Sequence, residues 1–158
     1  MKITIITVGK LKEKYLVQGI AEYTKRLSTY TKVELIEVKD EHAPDNLSPK
    51  DINIIKEQEA DKITAKIKDS FIISLAIEGQ QLTSEQLAHK IEDIKTYHTS
   101  HITFIIGGSL GLADSIKHKS NFLLSFSPMT FPHQLMKLIL LEQIYRSFRI
   151  NNNEPYHK

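Results

Sequence analysis

At 158 residues and 41% hydrophobic content, the chain has the length for one domain with a proper core, residues 1–158, and no Pro/Gly/Ser-rich stretch divides it. It has no cysteine, which excludes a disulfide framework and a thiolate metal site and leaves the cytoplasm as the expected compartment. The net charge of +2 is unevenly spread: the first 32 residues carry seven Lys/Arg against two Asp/Glu, residues 117–158 six against two, and the stretch between them eight against fifteen. If the fold brings the two ends together, such blocks make a polyanion-binding face and a solvated back; ordinary solvated faces are the competing reading.

Lys2 to Val8 alternates, is β-branched and predicts a strand, and its apolar run is far shorter than a secretory h-region. Leu11, Tyr15, Ile20, Tyr23 and Leu27 lie near helical spacing and predict a helix from Leu11 to Tyr30, followed by a strand over Val33–Val38. Asp40 to Lys50 reads as loop. Ser48 before Pro49 reads as an N-cap opening a charged, mostly solvent-facing helix to about Lys68. Phe71–Ile77 is a continuous apolar run typical of a buried strand. Thr83-Ser84-Glu85-Gln86 then supplies a capping box for a helix to Tyr97. A strand over Ile102–Ile106, a short helix over Leu112–Lys119, a strand over Phe122–Phe126 and a helix over Gln134–Phe148 complete the alternation. This pattern predicts an α/β fold whose mostly parallel sheet is flanked by helices. No run approaches a membrane span, so no membrane partner is expected.

Three segments have the composition for chemistry. The strand ending at Ile106 meets Gly107, Gly108 and Gly111, a spacing that fits neither the dinucleotide fingerprint nor the phosphate loop. Glycines there let backbone approach a ligand or simply turn the chain, and a β-branched residue at Gly108 is expected to fill ligand space. Ser127-Pro128-Met129-Thr130-Phe131-Pro132-His133 is stiffened by two prolines and suits an apolar aromatic ligand such as adenine, or serves as a rigid connector. Both segments follow strands and so fall at one sheet edge. The last segment, ending Tyr156-His157-Lys158, has an aromatic, an imidazole and a cation for a base, a proton and a phosphate, although composition alone reads as a frayed tip. His98-x-x-His101 has metal-ligand spacing but falls at a helix-to-strand junction with no cysteine nearby, so no metal is expected. The final helix is apolar nearly all round, from Leu135 to Phe148, which places it either at the centre of a large core or against a partner; the limited interior of 158 residues favours a homodimer through it.

Together, IIGGSLGL, SPMTFPHQLMKLILLEQIYRSFRI and EPYHK resemble the SPOUT class of methyltransferases, and within it the ribosomal RNA large subunit methyltransferase H family, over the whole chain. The one small departure is Asn153, where glycine is common; asparagine tolerates φ > 0, so an unchanged tail is expected. The resemblance implies a single-domain SPOUT fold with a C-terminal trefoil knot and S-adenosylmethionine bound by Leu75, Ala76, Gly107, Gly108 and Ser127 to Pro132. It further implies a homodimer in which Tyr156 and His157 reach the partner's site as catalytic residues, His157 as base, and methylation at N3 of a pseudouridine in 23S rRNA, the assembled ribosome being the expected partner. Arg146, Arg149 and Lys158 are expected to hold phosphates. A SPOUT enzyme acting on a ribose 2′-hydroxyl and a noncatalytic RNA-binding module are the alternatives.

Overall fold

The computed structural model describes residues 1–158, and strands alternate with helices throughout. The strands are β1 (Lys2–Val8), β2 (Lys32–Val38), β3 (Phe71–Gln81), β4 (His101–Ile106) and β5 (Phe122–Ser125). The helices are α1 (Lys14–Leu27), α2 (Pro49–Thr64), α3 (Ser84–Tyr97), α4 (Asp114–Lys119) and α5 (His133–Asn151). Every strand pair is parallel, in the order β2-β1-β4-β3-β5. A parallel sheet covered on both faces needs apolar side chains on both, and β1 supplies them in alternation. Ile3 and Ile5 enter the core shared with α1, α3 and α5, while Ile6 and Val8 enter a second core under α2 and α4.

Local chemistry explains the helix ends. Ser48 accepts the Asp51 amide at 3.1 Å with Pro49 at the first helical position, and Thr83 and Gln86 make both bonds of the capping box. α1 starts three residues later than the apolar spacing predicts. Leu11 belongs instead to a loop whose amide donates to Glu37 Oε2 at 2.7 Å, and its side chain packs against the core. On α2, Glu59, Ala60 and Ile63 are buried, so the expected solvent-facing helix has one inner stripe. His98 packs on the Phe71 ring and His101 bonds Thr4 at 2.8 Å, so the two histidines have separate surroundings. No group of three His, Cys, Asp or Glu is placed to hold a metal ion, and no helix is long and apolar enough to cross a membrane.

The largest departure from the expected elements is β3, which runs to Gln81 instead of Ile77. Leu75 pairs with Leu124, the chain swings out over Ala76 to Gly79, and Gln80 returns to pair with Leu124 again. The return brings Gly79 against β5, where a Cβ would stand 2.7 Å from the Leu123 carbonyl carbon and oxygen. Backbone cannot yield as a side chain can. Gly79→Ala is therefore expected to destabilise the fold by about 2 kcal/mol, the cost of overpacking, read as a lowered urea midpoint with an unchanged slope.

Candidate active site

The swing of β3, the turn after β4 and the loop after β5 meet at the carboxyl edge of the sheet, where they enclose a cavity of about 300 Å³. Leu75, Ala76, Gly107, Gly108, Ser127, Met129, Thr130 and Phe131 all line it. Pro128 and Pro132 do not; they stiffen the loop, which Ser127 also tightens by accepting the Met129 amide at 3.0 Å. The lining also includes Ile77 and Glu78 from the β3 swing and His133 and Met136 from α5, four positions outside the set assigned to the cofactor from sequence. Lys117 neutralises Glu78 at the rim and holds its carboxyl below the usual range. The wall is thus largely apolar, with backbone groups and few charges, as a site for a purine-bearing ligand requires.

The glycine turn works differently from the expectation. Only Gly111 adopts a positive φ, +84°; Gly107 and Gly108 do not. A Cβ at Gly108 would point away from ligand space, to 3.1 Å from Val8 Cγ1 and 3.5 Å from Glu59 Oε1. A Cβ at Gly107 would lie 2.8 Å from the Gly111 carbonyl carbon and 3.0 Å from Leu112 Cγ. Both glycines are therefore needed for close packing of the turn. Behind it, Glu59 is buried and its Oε2 accepts the Glu41 amide at 3.0 Å, tying the segment after β2 to the wall of the site; burial pushes this carboxyl up.

Two α5 side chains facing the first turn are also perturbed by burial. The His133 imidazole is pushed down, with Asp40 opposing, which favours its neutral form beside the cavity. Lys137 is only 2% exposed and its ammonium is pushed down by burial, with Glu37 opposing. Its unfolded pKa is near 10.4 and its folded pKa lies lower, so between the two values the unfolded chain binds more protons and stability rises with pH. Lys137→Met is expected to raise stability at pH 7 by about 1 kcal/mol or more, with the gain shrinking as the solution approaches pH 10. Denaturant melts of both proteins across that range measure it.

The tail is docked, contrary to its composition. α5 closes with Asn153 in the left-handed region, φ 54°, as its tolerance for positive φ predicts. The Asn153 amide donates to Ile150 O at 3.0 Å and the Glu154 amide to Arg149 O at 2.9 Å, satisfying the last carbonyls. Arg149 is held by Glu154, donates to Tyr30 Oη at 3.0 Å and donates to Pro155 O at 2.8 Å, so its guanidinium shapes the tail. The Tyr156 hydroxyl donates to Glu142 Oε2 at 3.0 Å, and its ring stands edge-on to Tyr145. Burial, with bonds to Tyr23 and Glu142, pushes the phenol up and keeps it a proton donor.

His157 Nε2 lies 2.6 Å from Glu85 Oε1, and Nδ1 lies 3.0 Å from Arg146 Nη1. A guanidinium only donates and a carboxylate only accepts, so Nε2 carries the hydrogen and Nδ1 presents its lone pair to Arg146. Arg146 in turn pairs with Glu142 at 3.0 Å. Lys158 is exposed and makes no ion pair. Arg146 lies thirteen residues along α5 from His133, about 20 Å at 1.5 Å per residue. The structure therefore does not bring Tyr156 and His157 to the cavity of their own chain.

The family described as "Predicted SPOUT methyltransferase" matches residues 1–157. Over 159 aligned positions, covering all of both chains, the sequence is 60% identical to ribosomal RNA large subunit methyltransferase H of an Exiguobacterium species, and 59% identical to the protein of that name from Bacillus pumilus. Among solved structures, the fold is similar to a probable methylase family protein from Haemophilus influenzae, with a TM-score of 0.51 at 15% identity, covering 99% of this chain and 70% of that one. A putative methylase family protein from Neisseria gonorrhoeae gives 0.53 at 13% identity, with 99% and 85% covered. The cavity at the sheet edge, its glycine turn and these full-length matches lead to one assignment: the chain belongs to the ribosomal RNA large subunit methyltransferase H family of SPOUT methyltransferases.

Proposed function

We propose that the protein methylates N3 of a pseudouridine in 23S rRNA, using S-adenosylmethionine and acting as a homodimer in the cytoplasm, with the assembled ribosome as substrate. The observation that carries this reading is the meeting of three separate segments, Leu75–Ala76, Gly107–Gly108 and Ser127–Phe131, on one largely apolar cavity. S-adenosylmethionine, when bound, supplies a methyl group on a sulfonium leaving group. Backbone of the three segments holds its purine, and the tight turn at Gly107 keeps that backbone in place. The trefoil crossing belongs to the same reading.

The partner's tail completes the site, because each tail lies about 20 Å along α5 from its own cavity. α1 and α3 already cover two sides of α5, so its apolar girth is partly used within the chain. Leu135 and Ile139 remain only half-buried, and Tyr15 and Val17 on the adjacent α1 are 64% and 44% exposed, a face for a second copy. In the dimer, Tyr156 positions the base. An RNA phosphate draws Arg146 from His157, and the freed Nδ1 takes the imide proton from N3 as the nitrogen is methylated. Arg149 keeps the tail in shape, and Lys158 adds a phosphate contact.

Calorimetric titration with S-adenosylmethionine and mass mapping of the product test the reading. A single added methyl on the pseudouridine base is expected, whereas a methylated ribose or an absence of cofactor binding would overturn it.

A further inference from the structure

We propose that the loop joining β1 to α1 and the first residue of α1, with Lys10, Lys12 and Lys14, are the phosphate track for the RNA backbone beside the cavity in use, an inference that rests on the RNA-methyltransferase reading above. Lys10, Lys12 and Lys14 are all exposed, and no ion pair of the chain involves them. The loop borders the site: a Cβ at Gly9, whose φ is +95°, would lie 3.3 Å from Nε2 of the cavity-lining His133.

The other loops at the carboxyl edge offer no exposed cluster of unpaired cations; of the two lysines in the cavity wall, Lys117 is paired with Glu78 and Lys56 stands alone on α2. The segment after β2, residues 39–48, has Lys39 against Asp40, Glu41 and Asp45, while the turns at 107–113 and 126–132 carry no charge. Of the cations that composition points to, Arg149 is engaged by Glu154, and Arg146, paired with Glu142, lies at the far end of α5 from the cavity of its own chain. β1 lies next to β4 in the sheet, which places the lysine loop directly beside the glycine turn.

The loop is also held in place before any ligand arrives. The Gly9 amide donates to Val38 O at 2.9 Å and the Leu11 amide to Glu37 Oε2 at 2.7 Å. Anchored backbone lowers the ordering cost of binding, and each lysine–phosphate contact releases counterions and adds to the salt dependence of affinity. In the dimer proposed above, Lys158 of the arriving tail would join this lysine loop at the mouth of the site.

The test is equilibrium binding of wild type and the Lys10→Ala/Lys12→Ala/Lys14→Ala variant to an in vitro transcript of 23S rRNA and to ribosomes over a salt series. The variant is expected to bind more weakly, with a log-log salt slope reduced by about two to three contacts' worth. Its KM for RNA should rise with kcat retained at saturation, its calorimetric affinity for S-adenosylmethionine and its sedimentation should match wild type, and the triple arginine variant should regain most of the binding. An unchanged slope and KM in a variant sedimenting as wild type would overturn the lysine track and leave the methyltransferase reading standing. If wild type binds and methylates neither RNA, that reading fails and the track with it.

Discussion

Deleting Tyr156, His157 and Lys158 is expected to abolish methyl transfer while leaving cofactor affinity within about twofold of wild type. The division follows from distance: the tail's anchors, Glu142, Arg146 and Glu85, lie far along α5 and on α3, none of them in the cavity wall. His157→Ala alone should lower kcat by roughly 10²- to 10⁴-fold, the range for loss of a general base. Glu85→Gln keeps the shape but lets Nε2 meet a neutral amide, so a smaller loss is expected there. Single-turnover methylation assays paired with calorimetry separate these outcomes, and weakened cofactor binding in the deletion would mean that the site is divided otherwise.

Gly107→Val is expected to lower S-adenosylmethionine affinity by about 100-fold or more, ~2.7 kcal/mol. The added side chain would start 2.8 Å from the Gly111 carbonyl carbon, a backbone atom, so the turn itself must open. Gly111→Ala is the informative companion. Nothing lies within 4 Å of its Cβ position, and only the strain of φ +84° opposes it, about 1 kcal/mol. A larger loss at Gly111 than at Gly107 in calorimetry would contradict the steric account of the turn.

The strands were legible wherever apolar alternation or an apolar run marked them, as in Lys2–Val8, and the capped helix starts at Ser48 and Thr83 were legible from side-chain chemistry. The end of β3 was not, because Glu78-Gly79-Gln80-Gln81 has no apolar period and is drawn into the sheet only by its return to Leu124. Eight of the ten residues assigned to the cofactor meet at the cavity: those of the glycine turn and the proline-stiffened loop announce themselves by residue type, whereas Leu75 and Ala76, inside an apolar strand, were reached only through the family resemblance. Glu59 and Lys137 were invisible for the opposite reason. A charged residue on a helix reads as solvent-facing, and only the packing of α2 behind the turn and of α5 on the sheet removes these two from water. The direction of a side chain at Gly108, and the occupation of Arg149 by Glu154, are likewise tertiary facts.

The placement of cavity and tail at opposite ends of α5 has a genetic consequence. In the proposed dimer, a subunit lacking residues 156–158 and one carrying Gly107→Val, assayed at S-adenosylmethionine too low to fill the altered cavity, are each expected to be inactive as pure proteins, and re-annealing them is expected to build heterodimers in which one intact cavity faces one intact tail. Such mixtures should recover up to about a quarter of wild-type activity, because half of the randomly paired dimers are mixed and each has one working site of two. The same arrangement is expected to make specific activity fall on dilution below the dimer dissociation constant, and to let two loss-of-function alleles in one cell restore methylation that neither supports alone.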